Sequence, residues 1–171
     1  MAAKRSAGLV LFRRPGGGSV PVGDGAEVEV LIGHMGGPLW AKRDERAWSF
    51  PKGEYAADEE PTAAARREFQ EELGLAPPDG AWLALGENRQ SGGKVVTLWA
   101  LAGEVDLDRV VPGTFTMEWP PRSGRIQEFP EIDRVAWVDV AGAREKLVAG
   151  QVVFLDRLLD LLAADPSGGK K

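Results

Sequence analysis

Residues 53–75 read GEYAADEEPTAAARREFQEELGL, and this stretch decides the fold. Glu68, Glu71 and Glu72 stand at i, i+3 and i+4, a spacing that sets all three on one face of a helix. Like charges at those separations repel by a few tenths of a kcal/mol per pair. A fold that crowds them either solvates them well or holds a cation there. Carboxylate oxygens suit hard divalent ions, Mg2+ above all, which is completed by waters and substrate phosphates. Pro61 and Thr62 mark the helix start, with Asp58, Glu59 and Glu60 near the positive end of its dipole. Ala63 to Ala65 are strong helix formers, and Phe69 and Leu73 offer a stripe to a core. Gly74 closes the helix and Leu75 restarts an apolar run. Upstream, Trp48-Ser-Phe-Pro-Lys-Gly53 ends a strand in a loop where backbone and a lysine can approach a ligand.

The full spacing is Gly, five residues, Glu, seven residues, then Arg-Glu-apolar-any-Glu-Glu-any-Gly-apolar. Gly53, Glu59, Arg67, Glu68, Phe69, Glu71, Glu72, Gly74 and Leu75 fill every fixed position. A chance match is on the order of one in a million at ordinary residue usage. The pattern resembles the signature box of the Nudix (MutT-like) hydrolases. That resemblance implies an α/β/α sandwich with a mixed central β-sheet, the box helix and its preceding loop carrying the active site. It further implies hydrolysis of a phosphoanhydride in a nucleotide-type substrate with Mg2+, or Mn2+ in its place. Glu68, Glu71 and Glu72 match the family's metal and base positions, and the carbonyl of Gly53 matches a further metal contact. Arg67 matches the residue that positions the glutamates. Glu59 reads either as part of the metal shell or as an ion-pair partner of Arg67.

Composition frames this reading. The chain has 171 residues, 43% hydrophobic and 27% charged, enough for one domain with a sizeable core. A formal net charge of −5 gives no general attraction to duplex nucleic acid or an anionic membrane. With no cysteine, disulfides, thiolate metal sites and a cysteine nucleophile are excluded. His34 is the sole histidine, which removes a histidine zinc cluster; it reads as a strand-end surface residue without a role. No apolar run approaches 18 residues, and the N-terminus is too short and charged for a signal peptide, so a cytoplasmic location is expected.

Along the chain, residues 7–12 and 27–32 read as strands joined by a glycine-rich connector over 15–25. Residues 81–89 and 94–102 form a hairpin around Ser91-Gly-Gly93. Residues 106–130, interrupted by Pro112, Pro120, Pro121 and Pro130, read as a long irregular loop. Arg134 to Val138 is a strand, followed by helical stretches at 140–149 and 151–163 whose Leu155, Leu158, Leu159 and Leu162 pack on a core. The domain is expected to occupy residues 1–164, with 165–171 a disordered tail.

A carboxylate outside the box often joins the site in this family. Glu131, six residues before Trp137, has a spacing resembling diadenosine tetraphosphate hydrolases and bacterial RNA pyrophosphohydrolases, and Glu118 and Glu128 compete with it. The start of the chain and the Trp48–Gly53 segment resemble diadenosine polyphosphate hydrolases more weakly. That likeness points to Arg5 and Lys52 as phosphate contacts and to Trp48 or Trp40 as a base-stacking surface, a flexible terminus and half-buried packing being the alternatives for Arg5 and the tryptophans. The expected partner is a small nucleotide, a diadenosine polyphosphate or (d)NTP first. ADP-ribose, an RNA 5′ end or a catalytically silent nucleotide sensor are alternatives, and the protein is read as a monomer or homodimer.

Overall fold

The structure is a computed structural model that describes residues 3–14 and 28–164. The glycine-rich connector and the expected tail lie outside the described residues.

Among the described residues nine strands and three helices follow in order. The first four strands are β1 (Arg5–Arg13), β2 (Glu29–Met35), β3 (Trp48–Ser49) and β4 (Lys52–Glu54), and the box helix α1 (Pro61–Leu73) comes next. After it come β5 (Trp82–Arg89), β6 (Val95–Ala102), β7 (Thr114–Glu118), β8 (Ile126–Pro130), β9 (Ile132–Asp139), α2 (Val140–Lys146) and α3 (Val153–Ala164). The main sheet runs β3-β2-β1-β6-β5, with β4 also pairing β1 and β9 also pairing β2. Among the described strand pairings of this sheet only β1–β6 is parallel, so the expected mixed sheet is present.

Strand β1 is central because it is apolar on both faces. Ala7, Leu9 and Leu11 join Ala64, Ala65, Phe69 and Leu73 of α1 in one core. Val10 and Phe12 join Phe154, Leu155, Leu158 and Leu162 of α3 in the other. Alternation along one strand thus builds the α/β/α sandwich. Burying Phe69 against the sheet contributes on the order of 2–3 kcal/mol, which fixes the height and roll of α1.

The ends of α1 follow local chemistry. Glu60 is extended and makes no side-chain cap, Pro61 occupies the first turn, and Gly74 at φ +73° sends its N–H to the Gln70 carbonyl. The hairpin expected over 81–102 is present, with β5 antiparallel to β6. The irregular loop expected over 106–130 is not. After a 3-10 turn at Leu107–Arg109, β7 and β8 form an antiparallel hairpin with Phe115 paired to Phe129. The prolines punctuate it without breaking it: Pro112 precedes β7, Pro120 and Pro121 lie in the turn, and Pro130 ends β8. The first expected C-terminal helix is shorter, ending at Lys146 before a second 3-10 turn at Ala149–Gln151.

His34 corrects a second expectation. It is fully buried, with Nδ1 2.7 Å from an Asp133 carboxylate oxygen and Nε2 on the Arg43 carbonyl. Both polar ring atoms find partners inside the fold, so burial carries no unsatisfied group.

Candidate active site

Strand β4 and helix α1 meet at the carboxylates. A side chain at Gly53 would collide with the Glu68 carboxyl, so only glycine lets the strand backbone lie against it. One residue earlier, the Lys52 N–H donates to Glu72 Oε2 at 3.2 Å. The loop leading into β4 is fixed from the opposite layer: buried Gln151 accepts from the Phe50 N–H at 2.9 Å and donates to Ser49 Oγ at 3.0 Å.

Arg67 clamps the acidic face. Its Nε and Nη2 donate to the two Glu59 oxygens at 2.8 and 2.9 Å, and Nη1 donates to Glu68 at 2.8 Å and to Glu71 at 3.1 Å. These hydrogen bonds, those to Glu59 first, hold its pKa well above the ordinary arginine value. The same contact lowers Glu59. Of the two readings of Glu59, the structure contains the ion pair.

The carboxylates differ sharply in exposure. The Glu71 side chain is 56% exposed and the Glu68 side chain 12%. Burial pushes Glu72 up to about 8, against the opposing pull of the Lys52 ammonium and N–H. Burial also raises Glu68 against the pull of Arg67, with the Glu71 and Glu131 charges adding to the rise. The Lys52 ammonium is depressed by its own burial.

Of the three outer carboxylates, Glu131 is the one whose charge bears on the box glutamates. Burial raises it first and the Glu71 charge second, and its own charge in turn raises Glu68 and Glu72. Its backbone is tied at two points: Gly36 N–H donates to the Glu131 carbonyl at 2.9 Å, and Glu131 N–H donates to the Gly113 carbonyl at 2.8 Å. Gly113 itself passes so close to α1 that a side chain there would stand 2.8 Å from the Glu71 carbonyl oxygen. Glu118 instead caps the hairpin turn, accepting from the Arg122 and Gly124 N–H groups, and Glu128 accepts from Thr114.

Two of the expected substrate contacts, Trp48 and Arg5, have other partners in the fold. Trp48 is 4% exposed. Its indole meets the His34 ring edge-on at 5.2 Å, Arg134 and Lys146 each lie 5.3 Å from the ring, and its N–H donates to Asp44. No open face is left for a base, and Trp48 is a packing residue. Arg5 turns its guanidinium to Glu87 on β5 at 3.3 Å and makes no contact with a box carboxylate. Trp40 is half-buried against the α3-side core with Arg43 over its ring.

Gly36, Gly113 and Gln151 were invisible as site residues in the sequence. The two glycines were the available signal, since a glycine beside an extended run often marks close backbone approach.

Among the described residues no three acidic side chains converge tightly enough to ligate one ion. The donor chemistry nevertheless fits a hard divalent cation. It is all oxygen, and crowding and burial leave the carboxylates short of positive charge.

A model of the NUDIX domain matches residues 6–158, and the chain belongs to that family. Nudix proteins generally use divalent metal ions. The RNA pyrophosphohydrolase of Cellvibrio japonicus is 46% identical over 57 residues, which is 32% of this chain and 34% of that protein. The chain thus matches about a third of that relative's length. An Ap4A hydrolase from C. elegans, solved as a binary complex, superposes with a TM-score of 0.58 at 21% identity, covering 95% of this chain and 99% of that one. The Nudix domain of NrtR from Shewanella oneidensis, solved with ADP ribose, gives 0.57 at 17% identity, covering 95% and 90%. Both structures share the fold. No described helix is long and apolar enough to cross a membrane.

Proposed function

We propose that this protein is a pyrophosphohydrolase dependent on a divalent cation, Mg2+ first and Mn2+ second, that cleaves a phosphoanhydride in a nucleotide-type substrate. The observation that carries the reading is the junction of β4 with α1: half-buried Glu68 and Glu72 lie against the Gly53 and Lys52 backbone, with Glu131 nearby. Glu68, Glu72, Glu131 and the Gly53 carbonyl would hold the cation, with Glu71 at the exposed edge. When bound, it supplies charge neutralisation and a water of lowered pKa.

The chain's own groups do the rest. Arg67 holds Glu59, Glu68 and Glu71 at fixed angles, which prepares the acidic face before substrate arrives. Lys52 brings a positive charge to the same junction and can pair with a phosphate oxygen. Glu131, solvent-exposed at the rim of the cluster, adds the outer carboxylate to the set that would hold the cation.

Diadenosine polyphosphates and (d)NTPs are the favoured substrates. A second reading, an RNA 5′ polyphosphate end, is supported by the local identity to RNA pyrophosphohydrolases. A phosphate-release screen across diadenosine polyphosphates, (d)NTPs, ADP-ribose and 5′-triphosphorylated RNA, in Mg2+ and in Mn2+ with product identification, tests the proposal. Tight nucleotide binding without turnover of any of them would sink the enzyme reading in favour of a sensor.

A further inference from the structure

The opposite flank of α1 borders a groove of about 970 Å3 that the catalytic reading leaves unused. Arg66, Gln70 and Trp82 line it, and Arg67 and Glu71 form its edge toward the carboxylates. That volume lies within the range of small-molecule sites, roughly 300–1,000 Å3.

Two adjacent arginines set the argument. Successive helical residues point about 100° apart, so Arg66 and Arg67 serve different flanks. Arg67 is committed to three carboxylates. Among the described residues Arg66 makes no hydrogen bond or ion pair; its guanidinium lies 5.1 Å from the centre of the Trp82 ring. Gln70, one turn further along the same face, likewise has no side-chain partner among the described residues. Trp82 is half-buried, backed by Trp99 at 6.1 Å, which holds its ring in place.

The groove therefore offers a planar guanidinium laid over a fixed indole and exposed on its outer side, and an amide with both donor and acceptor unused. Stacking surface plus edge hydrogen bonding is the complement of a nucleobase, which stacks on aromatic rings and guanidinium planes and is read along its edge by amides. We propose that this groove binds the base of the nucleotide substrate, with Arg66 and Trp82 as its stacking surface and Gln70 reading the base edge, so that the phosphates run across the Glu71 edge to the carboxylates. The inference rests on the phosphoanhydride reading for the identity of the substrate, and its test does not depend on turnover.

Calorimetric titration in Mg2+ compares the four β,γ-methylene nucleoside triphosphates with inorganic tripolyphosphate, which has no base. The wild-type protein binds at least one nucleotide more tightly than tripolyphosphate. Arg66→Ala, at an exposed site, weakens that nucleotide roughly ten- to a hundredfold and leaves tripolyphosphate unchanged. Trp82→Phe keeps an aromatic ring in the core and loses part of the same preference. A base preference that survives Arg66→Ala intact overturns the proposal, as does an equal loss for both ligands or no base preference in the wild type. Absence of hydrolysis alongside a base preference lost in Arg66→Ala would remove the enzyme reading and leave the groove assignment standing.

Discussion

The two flanks of helix α1 carry much the same residue types to opposite ends. On the catalytic flank Arg67, Glu68 and Glu72 are drawn into hydrogen bonds with one another and with the β4 loop, and burial lifts both glutamates. On the other, Arg66 and Gln70 stand in solvent beside Trp82 with no polar partner among the described residues. The contrast separates two uses of polar groups. Crowded, half-buried charges store an electrostatic demand that a cation relieves, whereas exposed groups around a fixed ring keep their bonding capacity for a ligand.

Glu72→Gln strikes this contrast hardest. Loss of supporting groups alone costs about 10–100-fold in metal sites, so removing a ligand is expected to lower kcat by more than about a hundredfold. The neutral amide keeps the size of the half-buried group, so the circular-dichroism spectrum should stay native. Near-normal turnover in the variant would end the catalytic assignment of this flank.

Arg67→Lys comes next, at roughly 10–100-fold in kcat/KM, because an ammonium cannot reproduce the forked contacts to Glu59, Glu68 and Glu71. Should lysine support full activity, the clamp would be a matter of charge and not of geometry.

Glu131→Gln is expected to cost about tenfold or more, while Glu118→Gln and Glu128→Gln leave kcat within about twofold, since those two serve the hairpin. A larger defect at Glu118 or Glu128 than at Glu131 would reassign the outer carboxylate.

The smallest effect is a few degrees of melting temperature, and it depends on pH. Glu72 is raised from the ordinary 4.5 to about 8. Without metal, the stability contributed by its protonated form is fully present below about 4.5 and is lost as pH climbs through about 8. A cation must displace that proton, so the Mg2+-induced rise in Tm should be larger at pH 8.5 than at pH 6. Thermal melts at the two pH values check the sign, and in Glu72→Gln the difference should shrink.

Legibility from the sequence followed the range of the interactions involved. Both ends of α1 were readable because Pro61 and Gly74 act through their own backbone, and the carboxylate face because helical spacing is local. The 106–130 segment was misread because its prolines mask an alternating Thr-Phe-Thr-Met-Glu strand whose pairing with Ile126–Pro130 needs a turn to form. The enclosure of Trp48 and His34 is illegible in the sequence for a related reason. A tryptophan and a histidine give no local sign of burial, and here each is enclosed by partners from β9, α2 or the loop after β2.

The sequence by itself determined a helix with three carboxylates and a positioning arginine on one face, and a sheet apolar enough on both sides to be covered by helices. Only the tertiary structure decided that Glu131 lies near enough to act on those carboxylates while Glu118 and Glu128 bond within the hairpin, that Trp48 is enclosed, and that Arg67 is taken up by carboxylates while Arg66 lies over Trp82. Helical periodicity is written within a few residues. Placing Glu131 instead requires Gly36 and Gly113, 95 and 18 positions away along the chain, to close their backbone bonds on it.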